Sequence, residues 1–442
     1  MSTRALTGSL VAGALALVGL TGTALPASAS SNKVINLTMW QQWGGGHEEA
    51  ALQRVIKQYE ALNPGVHITE TPVTNSAKIL TAISGGTPPD IVDLGTSLEV
   101  GEWASRGALL PMAPYVGSSH LNLNVYVPSA IQALTVNNQL YGLPFMDFDV
   151  GLLYNKALFK AAGLNPNDPP TTTAQLQTDA FALTKQSKNG TITQLGFLPD
   201  YPGQSNGQVC TLEDMGWAFG GQWYNSKTHA ITADAKQNVA ALNYEVGFYK
   251  KYGAENMANF ESSSGAYLTA NDPFESGKLA MVYDGPWALQ YIKANRPSLA
   301  PDIGVAPFPA PPGMSALKGT TFIDTNPQVI PRGASDPAAA FAFIKWETTN
   351  SQVTATFAQL VANLPQLKTV PNFPLAKDAR FQLFIKEADS SNAHVWPQLP
   401  YSTEYGVRLC QAQSAALYGK STPAQAMGSL QTTMESAAAG SP

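Results

Sequence analysis

The sequence predicts an α/β protein with largely parallel sheets, arranged in more than one lobe. Strand-like and helix-like patterns alternate along the amino-terminal part of the chain. The 442 residues are 44% hydrophobic, enough for two to four lobes at roughly 100–200 residues each. No single linker divides the chain, which points to two lobes sharing several crossings.

Residues 34–39 (VINLTM) alternate apolar and polar as a strand does, and WQQWGGGH follows as a loop. Leu52, Val55, Ile56, Tyr59 and Leu62 then recur at a helical period, until Asn63-Pro64-Gly65 stops the helix. Residues 66–71 read as a strand, 76–83 as a helix, and 91–94 as a buried strand after the GGTPPD turn. Two strand pieces are expected at 141–145 and 151–154, separated by MDFD, and a short helix at 157–162 stopped by Gly163. Further strands are expected at 278–283, ended by Asp284-Gly285-Pro286, and at 304–308, before a Pro-rich turn. Residues 337–364 are helical by composition, with Pro337 in the first turn, and 405–417 are helical too. There is no internal repeat, heptad or low-complexity tract.

Composition narrows the function. Lys and Arg number 26 against 31 Asp and Glu, a net charge of -5. That mild acidity argues against nucleic acid, whose phosphates need clustered cations. The 37 Gly and 32 Pro are ordinary and rule out global disorder. No interior stretch reaches the roughly eighteen apolar residues of a membrane span. Arg4 precedes the apolar run 10–20 and an Ala27-Ser28-Ala29 site, the pattern of a secretory signal peptide over residues 1–29. A membrane anchor is the competing reading, but the run is short and broken by glycines. No Cys stands near that site to carry a lipid, so a soluble periplasmic or extracellular protein is expected. Cys210 and Cys410 are the only cysteines; whether they pair stays open.

Catalytic and cofactor motifs are largely missing, so no cofactor or metal is expected. His residues 47, 67, 120, 229 and 394 include no i,i+4 pair, and HExxH, the phosphate loop and GxGxxG are absent. One GxSxG at 203–207 follows Pro199 and Pro202 and reads as loop composition rather than a nucleophile elbow. A carboxylate pair such as Asp147 with Asp284 keeps a secreted glycosidase open, since that chemistry needs two carboxyls roughly 5–10 Å apart.

Aromatic residues in strand-end loops are the positive signal. Trp43, Trp217 and Trp287 fall where loops leave expected strands or among glycines and polar residues. Ligands of open α/β sheets bind at the carboxyl ends of strands. An indole there covers the CH face of a sugar ring while Asp, Glu, Gln and Asn take its hydroxyls. Each buried hydroxyl needs a partner, because an unpaired one costs about 1–3 kcal/mol. The competing reading is that each Trp is core, and Trp346, on a helix stripe, is assigned there.

Several segments together resemble a known family: GGTPPDIVDLGT, LYGLPF, GLLYNKALFKAAGL, FESGKLAMVYDGPWAL, IGVAPFPAPPG and ALYGKSTPAQAM. They are similar to the extracellular solute-binding proteins of carbohydrate ABC importers, the maltose-binding-protein-like group. The resemblance implies a two-lobed type II periplasmic-binding fold, with a mixed or parallel sheet in each lobe. It implies lobes of 30–146 plus 325–373 and of 147–324 plus 374–442, with hinge crossings near 147–150, 322–325 and 371–374. A small-molecule carbohydrate would bind between the lobes of a monomer, without catalysis, and be passed to ABC permease subunits. Carried over by position, Trp287 matches the stacking tryptophan, and Gln42 and Trp43 match the loop after the first strand. His47 and Glu48 begin the next helix, and Thr96 and Ser97 match the loop after PPDIVDL. The family's best-known member carries charges around that last loop, so this sequence departs there and its ligand stays open. Asp147, Phe148 and Asp149 match the first crossing, and Trp217 and Trp396 lie in segments that approach the cleft. Asp284 is left between bonding sugar and capping its turn. A polyamine or metal-chelate binder is a further alternative.

Overall fold

The computed structural model describes residues 34–44, 47–201 and 210–441. The signal-like segment 1–29 and the GxSxG at 203–207 lie outside the described residues. Among the described residues no helix is long and apolar enough to cross a membrane.

The described residues build two large sheets and two small two-stranded ones. In the first, strand Ile35–Gln41 lies parallel between Val66–Pro72 and Ile91–Asp93. Its alternation is the expected one, with Leu37, Met39 and Gln41 buried. Helix His47–Leu62 buries Ala51, Leu52, Val55, Ile56 and Tyr59, the helical period seen in the sequence. Glu48 and Glu49 sit in its first turn, where the helix dipole favours acids.

Two long strands then make the joint. Gly142–Asp149 and Thr321–Val329 pair antiparallel from Ile323↔Asp149 to Val329↔Gly142. The register shifts between Asn326 and Pro327, where Pro327 opposes Pro144 and neither can donate a ladder bond. Strand Gly142–Asp149 continues through Val150 into Gly151–Asn155 of the second sheet. At that crossing the Thr321 hydroxyl accepts from Val150 N (3.1 Å) and donates to Val150 O (2.8 Å), fixing the two strands together. The second sheet runs Ile303–Ala306, Gly151–Asn155, Leu279–Asp284, Ile192–Phe197 and Lys185–Gln186.

Three expectations need correction. The sheets are mixed rather than largely parallel: within the second sheet only Leu279–Asp284 with Ile192–Phe197 is parallel. Strands that arrive by a lobe crossing or a reversal need no βαβ unit and pair antiparallel. MDFD is not a break but the end of strand Gly142–Asp149, because its acids are buried by the joint and not solvated. The segment 337–364 is two helices, Pro337–Thr349 and Ser351–Val361. Asn350 is extended there, and its side chain caps the second helix by accepting from Gln352 and Val353 N. Ala362 adopts φ 56° and ends it, and Leu364–Pro365 joins the edge of the first sheet.

Trp346 is half-buried rather than fully in the core, packed on Tyr59 (5.1 Å) and Phe343 (6.4 Å). Cys210 and Cys410 are free thiols.

Candidate functional site

A cavity of about 500 Å³ lies between the two sheets, beside the joint. That volume falls in the range of roughly 300–1,000 Å³ used for small molecules. Its walls differ in chemistry.

The first-lobe wall is polar and tied together by its own hydrogen bonds. Gln42 leaves the end of the first strand, its N–H donating to Asp93 O at 3.0 Å. Its side-chain Oε1 accepts from Gly95 N at 2.9 Å, while Nε2 donates to Ser76 Oγ at 2.9 Å and Glu99 Oε2 at 3.4 Å. Ser76 donates in turn to Glu99. Burial raises the Glu99 carboxyl above its ordinary range, although Ser76 and Gln42 pull it back. Thr96 donates to Asp324, which also accepts from Ser97 N at 3.0 Å. Asn326 Nδ2 donates to Gly95 O at 2.6 Å, and Asn363 reaches Asn326 Oδ1 at 3.4 Å. Trp43 sends its Nε1–H to Asp93 Oδ2 at 2.9 Å and rests edge-on against Phe357.

The facing wall is aromatic. Trp287 opens helix Trp287–Asn295 directly after Gly285-Pro286. A Cβ on Gly285 would come within 2.0 Å of the Trp287 ring, so only glycine lets the indole fold back over its own turn. Phe148 meets Trp287 edge-on (5.6 Å, 84°), and Phe322 meets Phe148 the same way (5.7 Å, 73°). Tyr291, one helical turn beyond Trp287, donates across the cleft to Glu48. The described lining contains no Lys, Arg or His.

Of the residues expected from sequence, Gln42, Trp43, Glu48, Thr96, Phe148 and Trp287 line this cavity together. Ser97, Asp147, Asp149, Trp217, Asp284 and Trp396 do not. Ser97 serves through its backbone, on Asp324. Asp147 and Asp149 are buried in the joint, where burial pushes Asp147 up to about 8 and Asp149 well above its ordinary value. Asp284 is buried at a strand end and accepts from Gly285 N at 2.8 Å, the turn-capping role. Asp147 and Asp284 therefore do not offer the cavity a carboxylate pair. Trp217 stacks on His394 (5.1 Å, 10°) and meets Trp396 edge-on (6.1 Å, 71°), inside an aromatic core completed by Trp223 and Tyr405. His47 is the first residue of its helix, and its side chain lies outside the description.

Sequence reasoning missed Ser76, Glu99, Tyr291, Phe322, Asp324, Asn326 and Asn363. Two signals were available. Phe322, Asp324 and Asn326 recur at period two on one strand face, and Tyr291 stands four residues from Trp287 on one helix face. Among the described residues no cluster of His, Cys, Asp or Glu is able to hold a metal.

Comparison with known proteins agrees with this architecture. The solved structure of CpMnBP1 with mannotriose bound is 32% identical, with a TM-score of 0.80, over 90% of this chain and 99% of that one. An uncharacterized ABC transporter extracellular-binding protein of Pyrococcus horikoshii is 26% identical over 90% of this chain and 87% of its own. The maltotriose-binding protein of Pyrococcus abyssi is 24% identical over 75% of this chain and 67% of its own. The family described as bacterial extracellular solute-binding protein matches residues 44–354. This two-lobed chain belongs to the bacterial extracellular solute-binding protein family.

Proposed function

We propose that the chain captures a neutral sugar or short oligosaccharide between its lobes and delivers it, unaltered, to an ABC-type permease. The observation that carries this reading is the two-sided cavity, with an aromatic plate facing a wall of fixed amides, hydroxyls and carboxyls. A sugar ring has the same two aspects: its CH face suits Trp287, and its hydroxyls suit Gln42, Ser76, Glu99, Asn326 and Asn363. The described lining holds no cation, so it offers no counter-charge to a sugar acid or sugar phosphate. The mannotriose and maltotriose named for relatives are of this neutral class. A ligand touching both walls would bind the closed arrangement better than the open one and shift the population toward it.

The lobes in this reading are 30–146 with 325–373, and 147–324 with 374–442, hinged at crossings near 147–150, 322–325 and 371–374. The protein is exported, cleaved after Ala29, and acts as a soluble monomer. The acidic lining makes polyamines the natural control. A thermal-shift screen of neutral oligosaccharides, sugar acids and polyamines tests the reading. A neutral glycan at 100 times its dissociation constant adds about 2.7 kcal/mol and raises Tm. A rise with spermidine alone, and none with any glycan, overturns it.

A further inference from the structure

The Trp287 indole is anchored at its single polar atom. Its Nε1–H donates to the Tyr267 hydroxyl at 2.6 Å, and that hydroxyl donates to Asp284 Oδ1 at 2.8 Å. The direction is set by chemistry. An indole N–H can only donate, so Tyr267 receives at oxygen and sends its own proton onward. The same Asp284 oxygen accepts from Gly285 N at 2.8 Å, which ties the carboxylate to the turn that carries Trp287. Tyr267 is itself held edge-on by Tyr201 (5.6 Å, 81°), whose hydroxyl donates to Asp272 at 2.5 Å. Asp272 is fixed in turn by the backbone N–H groups of Phe274 (2.8 Å) and Glu275 (3.2 Å). Three constraints thus meet on one ring: a hydrogen bond at its edge, the Gly285 turn beneath it and the Phe148 edge beside it.

We propose that Tyr267 and Asp284 are positioning residues for sugar recognition, which fix the angle of the Trp287 plate and, by taking its N–H, confine it to stacking. The inference rests on the sugar-binding reading above. Its consequence is a division of labour. The plate senses the CH face of a ring and is blind to its hydroxyls, so discrimination among sugars falls to the opposite wall. Two long aromatic side chains and a buried acid sit behind the indole, an arrangement that keeps the plate in place before ligand arrives.

Indole NMR of the ¹⁵N-labelled full chain tests this, with the Trp287 resonance assigned through Trp287→Phe. The expected result is a Trp287 N–H protected from solvent exchange without ligand, whose shift barely moves on saturation with mannotriose. Tyr267→Phe removes the acceptor, so protection is lost and mannotriose binds about tenfold more weakly. Asp284→Ala takes away the acceptor of the Tyr267 hydroxyl, so protection and affinity fall in the same direction as in Tyr267→Phe. A merely structural Tyr267 would lower Tm on substitution without changing indole exchange or affinity. The inference is overturned by a freely exchanging Trp287 N–H in the wild-type chain, or by one that takes a sugar hydroxyl as its new acceptor. Should no neutral glycan bind at all, the functional reading fails, while exchange in the ligand-free chain still decides whether the anchor exists.

Discussion

The two walls of the cleft solve opposite problems. The first-lobe wall holds polar groups that would be costly if left unpaired, and it pairs them with one another. Gln42 alone joins Gly95, Ser76 and Glu99, and Asp324 joins Thr96 and Ser97. The facing wall holds Trp287, Phe148 and Phe322, which meet edge-on and present a single polar atom, the Trp287 N–H, already taken by Tyr267. A polar wall arranged in advance can exchange internal partners for ligand hydroxyls with little reorganisation, so it is suited to discrimination. An apolar plate gains by area and is suited to affinity.

That contrast is open to direct attack. Trp287→Ala removes the plate and should weaken sugar binding near a hundredfold, since a buried aromatic contributes about 2–3 kcal/mol or more. Titration of mannotriose into the variant checks it. A change below threefold would move the plate elsewhere. Gln42→Ala removes three hydrogen bonds at once and leaves Gly95 N–H without its acceptor, which should cost about 1–3 kcal/mol, near tenfold in affinity. Its distinctive mark is altered preference: the ratio of mannotriose to maltotriose affinity should change, whereas Trp287→Phe should leave that ratio intact. Equal ratios in both variants would erase the distinction between the walls.

The joint beneath the walls makes a pH prediction. Burial pushes Asp147 in the joint, and Asp214 and Glu387 on helices Thr211–Ala218 and Ala379–Ala388 packed against it, up to about 8, and Asp149 well above its ordinary range. Unfolding returns each to about 4. Between those values the native chain holds protons that the unfolded chain releases. The stability they support is therefore complete below about pH 4 and declines as pH rises toward 8. Thermal unfolding should give a higher Tm at pH 5.5 than at pH 8, and the reverse order would show these carboxyls ionised in the native joint. The smallest effect is expected at an aromatic residue outside the cavity lining. Trp396→Phe alters the second-lobe aromatic core and should lower Tm while changing sugar affinity less than about twofold, as for a buried residue without ligand contact.

The same contrast explains what the sequence disclosed. The first lobe's strand, helix and parallel neighbours were readable because each buries one regular face, as Leu37 with Met39 and Leu52 with Val55 do. The joint's strand was not readable from periodicity, although the resemblance implied crossings near 147–150 and 322–325, because Asp147 and Asp149 look like loop residues until a second strand covers them. In the cavity, Gln42, Trp43 and Trp287 stood out as strand-end or turn residues. Tyr291, Asn326 and Asn363 arrive from a helix turn, a joint strand and a post-helix segment, and only the tertiary fold brings them to one cavity. Trp217 and Trp396 carried the same composition as Trp287, yet they pack on His394 and Tyr405. Residue type alone does not separate a plate from a core.

A neutral glycan held between an indole plate and a polar wall depends on the indole for most of its affinity. Calorimetric titration of mannotriose into the wild-type chain and into Trp287→Ala tests it most directly. Saturable binding to the wild type and loss of nearly all of it in the variant are expected. Equal affinity for both chains, or flat heats for every neutral oligosaccharide beside saturable binding of a charged solute, would contradict it.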